Sequence, residues 1–169
     1  MIVVLMGVTG SGKTTIGELL AQRTGAVFAD ADDYHPAANK QKMAAGHPLN
    51  DEDRQPWLET LNKLMRGWYE AAQSGVLACS ALKQKYRDTL ASGLPHDALT
   101  FVWLDTPKEI IAERLAARHH EFMNPNLLQS QFDTLEPPAD ALRIVNDRAP
   151  TQVVETILEK IGQQQNTTA

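Results

Sequence analysis

Residues 7–14 of the chain read GVTGSGKT, a stretch whose residue types suit phosphate binding. Glycines allow backbone N–H groups to wrap around a phosphate, and a helix that follows presents its positive N-terminus. In this pattern we expect Lys13 to reach the β- and γ-phosphates of a nucleotide and the Thr14 hydroxyl to bind Mg²⁺. An apolar strand is predicted before the stretch and a helix after it, which strengthens the match. The pattern therefore predicts a nucleoside triphosphate site.

A second stretch, FADADDYHP at 28–36, gathers acidic side chains behind a short apolar run. Asp30 and Asp32 stand two residues apart at the end of a predicted strand, so extended backbone would project both from one side. One carboxylate could hold Mg²⁺ through water, and the other could accept a proton from a hydroxyl that attacks a phosphate. A zinc cage is disfavoured because His35 has no second histidine or cysteine at ligand spacing. A polar turn before a helix is the open alternative.

Basic residues that could gather anionic groups follow in three places. Arg114 and Arg118 are four residues apart and therefore share one face of a predicted helix. The segment at about 118–128 is predicted to form a lid that closes over the triphosphate. Lys83 follows directly after a predicted strand, and Arg54 is the third candidate. Each of these residues alone could equally be a solvated surface charge, but together they indicate a site.

The elements that must position these residues alternate along the chain. Continuous apolar runs predict strands buried in a parallel sheet, at 2–6, 27–29, 76–79, 101–104 and 143–146. Helical spacing and helix-terminating residues predict helices at 13–24, 53–73, 84–92, 107–118, 125–134 and 150–162. This order predicts an α/β fold with a doubly wound five-stranded parallel sheet flanked by helices, in a single domain over 1–169, and the phosphate-binding stretch makes it a fold of the P-loop NTPase type.

Further features distinguish between classes of P-loop protein. The predicted strand at 76–79 is not followed by an acidic residue that would bind Mg²⁺, and Asp105 is better explained, with Thr106 and Pro107, as a helix cap. The guanine-binding pattern N-K-x-D is absent, since residues 146–149 read NDRA. These observations favour a kinase that acts on a small, anionic hydroxyl compound. A nucleotide-dependent switch without acceptor chemistry is the alternative from another class of protein.

Composition and charge set the wider limits. The 169 residues, of which 43% are hydrophobic, suffice for one core without disulfides. The net charge of −5 gives no basic field that would attract nucleic acid or an anionic membrane. The single cysteine, Cys79, is predicted to be a buried apolar residue of a strand, and no run resembles a signal peptide or a membrane span. We therefore expect a soluble, cytoplasmic protein.

Taken together, the motifs resemble those of the gluconokinase family, small P-loop kinases of sugar acids that are related to shikimate and nucleoside monophosphate kinases. The similar segments extend over most of the chain and read MGVTGSGKTT, DADDYHP, PLNDEDRQPWL, CSALKQKYRD and LLQSQFDTLEPP. The phosphate loop is shared by many proteins, whereas the last three segments are far more specific. The resemblance implies ATP-dependent phosphorylation of D-gluconate to 6-phospho-D-gluconate, with ATP and Mg²⁺ as cofactors. It also implies a nucleoside-monophosphate-kinase-like core with a lid, and a homodimer.

The resemblance further implies roles for the residues around the nucleotide. Those that would hold the phosphates and Mg²⁺ are Gly7, Val8, Thr9, Gly10, Ser11, Gly12, Lys13, Thr14 and Thr15. Asp30 resembles the residue that holds Mg²⁺ through water. Arg114 resembles an arginine near the adenine, and Arg118 the lid arginine that acts at the γ-phosphate. The loop at 146–150 would pass the edge of the adenine.

On the acceptor side, the resemblance assigns Asp32 to the acceptor hydroxyl, as its binder and catalytic base. Contacts with gluconate are implied for His35, Arg54, Lys83 and Gln131, with Arg54 or Lys83 on the carboxylate. The residues alone do not select gluconate. A kinase for another sugar acid or a shikimate-like alcohol on the same scaffold is the second alternative.

Overall fold

A computed structural model describes residues 1–117 and 125–167, except for the side chains of 125–127 and 165–167. The strands in these ranges are β1 (Ile2–Met6), β2 (Val27–Asp30), β3 (Gly75–Ala78), β4 (Leu99–Asp105) and β5 (Leu142–Val145). The helices are α1 (Lys13–Thr24), α2 (Ala37–Ala44), α3 (Asp51–Glu70), α4 (Gln84–Ala91), α5 (Lys108–Ala117), α6 (Pro125–Thr134) and α7 (Pro150–Thr167), and a 3₁₀ helix covers Ala31–Tyr34. Within the same ranges, no helix is long and apolar enough to span a bilayer.

The strands form one parallel sheet in the order β2-β3-β1-β4-β5, so β1 lies at its centre. Val4 of β1 is paired with Leu77 of β3 on one side and with Phe101 of β4 on the other. Because all strands run in the same direction, the loops that follow them meet at one edge of the sheet, where open α/β sheets bind ligands. The predicted α/β fold of the P-loop NTPase type is confirmed.

The central strand is buried on both faces, which explains why its sequence is continuously apolar. Val3 and Leu5 pack with α1 and α7, whereas Val4 and Met6 pack with α3 and α4. All four side chains are fully buried. The two helical layers therefore hold β1 from both sides and fix the start of the phosphate loop.

Helix α3 differs from its prediction at both ends. It begins at Asp51 rather than 53 and ends at Glu70 rather than 73. The earlier start follows from a capping box: the Asn50 side chain accepts a hydrogen bond from the Asp53 N–H at 2.8 Å, and the Asp53 carboxylate accepts one from the Asn50 N–H at 2.9 Å. As a result, Asp51 lies in the first turn of α3.

A small apolar cluster connects the phosphate loop to the helices beyond β4. Val8 packs with Leu82, Ile111 of α5 and Leu128 of α6. All four side chains are buried. The loop is therefore anchored by an apolar side chain of its own as well as by the end of β1.

Candidate active site

The phosphate loop joins the end of β1 to the start of α1 and depends on glycine at three positions. Gly7, Gly10 and Gly12 have φ angles of 151°, 81° and 97°, which L side chains rarely adopt. A Cβ at Gly12 would lie 2.8 Å from Asn146 Nδ2, and a Cβ at Gly7 would lie 2.8 Å from Ser11 Oγ. Both the backbone conformation and the available space therefore require glycine.

Two buried side chains from other parts of the fold hold the centre of the loop. Thr106 Oγ1 donates to the Ser11 carbonyl at 2.8 Å, and Asn146 Nδ2 donates to the same carbonyl at 2.7 Å. Each donor residue is 2% exposed. Asp105, the neighbour of Thr106, is ion-paired with Arg143 at 2.5 Å. Thr106 and Asn146 thus fix the phosphate loop, a role that the sequence did not predict for either.

The loop also contains polar atoms that suit an anionic ligand. Ser11 Oγ is buried and has no hydrogen-bond partner among the residues that the structure describes. Lys13 Nζ donates to the carbonyls of Gly7 and Val8, both at 2.9 Å. Burial lowers the pKa of the Lys13 ammonium to about 8, although the nearby Asp32 carboxylate acts in the opposite direction. A polyphosphate would give this ammonium an anionic partner, so the loop fits a nucleotide.

The acidic pair lies beside the loop, but its local structure differs from the prediction. Strand β2 ends at Asp30, and Asp32 lies in the 3₁₀ helix, so extended backbone holds only for Asp30. The two residues are neighbours because Asp30 Oδ1 caps the 3₁₀ helix and accepts from the Asp32 N–H at 3.0 Å. Asp30 Oδ2 accepts from Thr14 Oγ1 at 3.1 Å. These adjacent oxygen donors fit a Mg²⁺ ion that keeps phosphate and water among its ligands.

The side chains of Lys13, Asp32, His35 and Arg54 form a line that begins at the phosphate loop, and each of them shifts the pKa of a neighbour. Burial raises the pKa of Asp32, as does Asp30, whereas Lys13 and His35 lower it. Burial lowers the pKa of His35, as does Arg54, whereas Asp32 raises it. The raised pKa makes the Asp32 carboxylate a better proton acceptor, and the lowered pKa keeps His35 neutral near pH 7.

A tryptophan of α3 fixes the middle of this line. The rings of His35 and Trp57 are stacked, with centroids 4.2 Å apart and an interplanar angle of 14°. Trp57 Nε1 donates to the carbonyl of Ala31 in the 3₁₀ helix at 2.7 Å. Asn39 Nδ2 lies 3.3 Å from His35 Nδ1. The imidazole and the turn that bears Asp32 are therefore positioned by one buried side chain.

Arg54 and Lys83, predicted from different parts of the sequence, lie together at the far end of the line. The Arg54 guanidinium and the Lys83 ammonium are each 5.6 Å from the centre of the Tyr86 ring. Arg54 Nη1 donates to the Tyr86 hydroxyl at 3.2 Å. Asp51 Oδ1 lies 3.8 Å from Arg54 Nη1 and 3.5 Å from Lys83 Nζ. This cluster suits the carboxylate of an acceptor.

The remaining predicted residues contact the phosphate loop or lie outside the described ranges. Gln131 is paired with Thr9: its Oε1 accepts from the Thr9 N–H at 2.7 Å, and its Nε2 donates to Thr9 Oγ1 at 2.8 Å. Arg114 Nη1 donates to the Gly10 carbonyl at 3.4 Å. Arg118 and positions 118–124 of the predicted lid are not among the described residues, whereas 125–128 belong to α6.

The structure adds site residues that sequence reasoning missed, namely Asp51, Tyr86 and Thr106, and it shows that Asn146, whose loop the resemblance placed at the adenine, also holds the phosphate loop. A local signal existed only for Asp51, because the N-x-x-D spacing of a capping box at 50–53 indicates an earlier start of α3. The other three contact partners that are distant in sequence, and no spacing rule reports such contacts.

A cavity of about 430 Å³ lies away from these residues. It is bordered by the segment from Leu94 to Phe101, by Met1 and by residues of α4 and α7, and none of the predicted site residues lines it. The candidate active site is therefore defined by converging side chains rather than by this cavity.

Comparison with known proteins agrees with this geometry. Residues 2–138 match a family model described as an AAA domain. The chain is 50% identical over 143 residues to the thermosensitive gluconokinase of Escherichia coli K12, covering 84% of this chain and 75% of that protein. It is 49% identical over 158 residues to a probable gluconokinase of Xenopus tropicalis, covering 86% and 83%. A crystal structure of a gluconokinase from Sinorhizobium meliloti superposes with a TM-score of 0.86 at 35% identity, covering 98% and 94%. The chain therefore belongs to the gluconokinase family, whose members are nucleotide-using kinases of the P-loop fold.

Proposed function

We propose that this chain transfers the γ-phosphoryl group of ATP to D-gluconate, yielding ADP and 6-phospho-D-gluconate. The observation that carries the proposal is the line of side chains from Lys13 through Asp32 and His35 to Arg54. One end of this line suits a polyphosphate, and the other end suits a carboxylate. Relatives that are named gluconokinases support gluconate as the acceptor.

At the nucleotide end, backbone N–H groups of residues 7–15 bind the phosphates, and the Lys13 ammonium neutralises their charge. The Thr14 hydroxyl, with Asp30 acting through water, would hold Mg²⁺, which offsets the charge on the phosphates when bound. Arg114, which donates to the Gly10 carbonyl of the loop, would contact the adenine. Arg118, on the lid, stabilises the charge of the transferred group.

At the acceptor end, Arg54 and Lys83 bind the gluconate carboxylate and so orient the sugar chain. Asp32 accepts a hydrogen bond from the hydroxyl that attacks the phosphorus and takes its proton as the new bond forms. Neutral His35 hydrogen-bonds to acceptor hydroxyls. Gln131, which is hydrogen-bonded to Thr9, also contacts the acceptor. The acceptor is thus held in line with the nucleotide by groups from the 3₁₀ helix and its C-terminal end, from α3, from the residue before α4 and from α6.

Three further properties belong to this proposal: a single domain over 1–169 with a lid at about 118–128, a homodimer, and a cytoplasmic location. The lid is proposed because the four-residue spacing of Arg114 and Arg118 predicts one shared helix face, before a segment rich in histidine. The homodimer is an expectation from the family resemblance, and light scattering behind size exclusion measures it directly.

The experiment that tests the function is a coupled assay of ADP release, with ATP and Mg²⁺ and a panel of acceptors. The panel contains gluconate, other aldonates, shikimate and nucleoside monophosphates. We expect turnover with gluconate and a product with phosphate on C6, identified by phosphorus and carbon NMR. ATP turnover that does not depend on the acceptor, or no turnover with any acceptor, would overturn the proposal.

A further inference from the structure

One carboxylate at the edge of the acceptor site has four partners. Asp51 Oδ1 accepts a short hydrogen bond from the Tyr86 hydroxyl and lies within ion-pair distance of Lys83 and Arg54. Asp51 Oδ2 accepts a short hydrogen bond from Lys85. These contacts lower the pKa of Asp51, first through Lys85 and then through Tyr86, so the residue is ionised throughout the physiological range. The Asp51 carboxylate thus connects the first turn of α3 with the start of α4.

Neither helix capping nor stability explains this arrangement. Asn50 and Asp53 already cap the N-terminus of α3 by hydrogen bonds to each other. The Asp51 and Lys85 side chains are 43% and 59% exposed, and exposed ion pairs contribute little to stability. Without Asp51, three cations would face one another with no counter-charge within the cluster.

The contacts leave the two predicted carboxylate ligands available. Among the described residues, Arg54 donates a hydrogen bond only from Nη1, to Tyr86, and its other N–H groups have no hydrogen-bond partner. Lys83 makes an ion pair with Asp51 at 3.5 Å, and in the described part of the chain it makes no side-chain hydrogen bond. Asp51 therefore attracts both cations while its own short hydrogen bonds go to Tyr86 and Lys85.

The aromatic ring between the two cations is itself fixed. Tyr86 is 6% exposed and packs in the core with α3. Arg54 and Lys83 each lie 5.6 Å from its centre, a distance at which a ring attracts a cation. The ring sets where the cations lie, and the Asp51 charge offsets their mutual repulsion.

We propose that Asp51 is a positioning residue for acceptor recognition, which holds Arg54 and Lys83 together so that both can bind the carboxylate of the acceptor. This inference rests on the proposed function. Asp51 itself does not contact the acceptor. It acts on acceptor binding and leaves phosphoryl transfer unchanged, because the phosphate loop and Asp32 are held by other contacts.

The test is Asp51→Asn, which keeps the shape and removes the charge. We expect the KM for gluconate to rise about tenfold, since dispersal of the cations weakens a charge-assisted contact, while kcat and the KM for ATP stay within twofold. Asp51→Glu retains the charge and should restore the KM for gluconate to within about threefold of the wild type. Asp51→Ser, a residue suited to a first helical turn, should behave like Asp51→Asn and provides a second variant without the charge.

Glu52→Gln is the matched control, because it removes one charge from the same helical turn at an exposed residue outside the cluster. It should leave all constants unchanged. A KM for gluconate that is unchanged in Asp51→Asn and Asp51→Ser would overturn the inference, and so would a lower one, which would mean that Asp51 competes with the acceptor carboxylate. Wild-type protein that is inactive with gluconate would instead refute the proposed function.

Discussion

The nucleotide half of the site is formed mainly by backbone groups, whereas the acceptor half is formed by side chains. The phosphate loop uses backbone groups, held in place by buried hydrogen bonds from Thr106 and Asn146 to one carbonyl. The acceptor end uses half-exposed side chains of Arg54 and Lys83, which are arranged by Asp51 and the Tyr86 ring. In the proposed function, the phosphate site is therefore set by the backbone and its buried supports, whereas the acceptor is selected by side chains.

This difference predicts that mutations can weaken nucleotide binding and acceptor binding separately. Variants of the loop supports should raise the KM for ATP, and variants of the acceptor cluster should raise the KM for gluconate. A residue at the junction should affect turnover more than either binding step. The following changes test the separation, beginning with the largest expected effect.

Asp32→Asn is the change at the junction. The amide keeps the size of the side chain but cannot take the hydroxyl proton, so we expect kcat to fall by ~10²–10⁴-fold. The affinity for a non-hydrolysable ATP analogue, measured by calorimetry, should remain within about threefold of the wild type. Asp33→Asn, at the next residue of the same 3₁₀ helix, is the control and should retain its turnover. Near wild-type kcat in Asp32→Asn would remove the residue from the role of base.

The supports of the phosphate loop are tested by Asn146→Ala and Thr106→Val. Each variant removes one of the two side-chain donors to the Ser11 carbonyl and should lower the free energy of unfolding by about 1 kcal/mol. The double variant leaves a buried carbonyl without either donor, so its loss should exceed the sum of the two single losses. Urea titration measures these changes. The KM for ATP should rise with them while the KM for gluconate does not, and strictly additive losses would contradict a shared role at Ser11.

The protonation of Lys13 distinguishes the two halves by pH. In the ligand-free protein its pKa is about 8, below the ordinary value of 10.5, and bound phosphates favour the charged ammonium. Nucleotide binding above pH 8 must therefore recover a proton, and the affinity should fall by up to about tenfold per pH unit. At pH 8 the uptake should be about half a proton per nucleotide, measured by calorimetry in buffers of different ionisation enthalpy.

The nucleotide itself does not account for this uptake, because its last phosphate ionisation has a pKa of about 6 and is complete by pH 8. Lys13→Arg is the control, since a guanidinium stays charged in this range and should abolish the uptake. Binding of gluconate should show no such uptake, because its proposed contacts do not include Lys13. Equal uptake in wild type and Lys13→Arg would assign the proton to another group.

The fold and the phosphate loop were predictable because both leave local patterns in the sequence. Strand β1 is continuously apolar since both of its faces are buried, and the glycines mark positions where φ is positive or a Cβ has no space. Cys79 was predicted to be a buried apolar residue of a strand. Its burial is confirmed, since it is 2% exposed and burial raises the pKa of its thiol to about 12, but β3 ends one residue earlier, at Ala78.

The acceptor cluster was less predictable because its contacts join distant parts of the chain. Arg54 and Lys83 were identified as candidates, but Asp51 and Tyr86, which contact them, were not, since the hydrogen bond between Asp51 and Tyr86 joins α3 to α4. Gln131 illustrates the same limit: the resemblance assigned it to the acceptor, which stays a prediction, but its hydrogen bonds to Thr9 of the phosphate loop had no signal in the sequence. Side-chain networks of this kind depend on how helices pack, and periodicity does not report them.

The smallest effect is expected for a change to Tyr86, whose ring lies near both Arg54 and Lys83. Tyr86→Phe keeps the buried ring but removes the hydroxyl that accepts from Arg54 and donates to Asp51. The ring still attracts both cations and Asp51 keeps its charge, so the loss is that of a single hydrogen-bonding group. We expect the KM for gluconate to rise about threefold, with kcat and the KM for ATP unchanged. Tyr69→Phe, which changes a tyrosine that is 48% exposed near the end of α3, is the matched control and should have no effect. If Tyr86→Phe raised the KM for ATP instead, the acceptor cluster would be coupled to the phosphate loop, and the two halves of the site would not be separable.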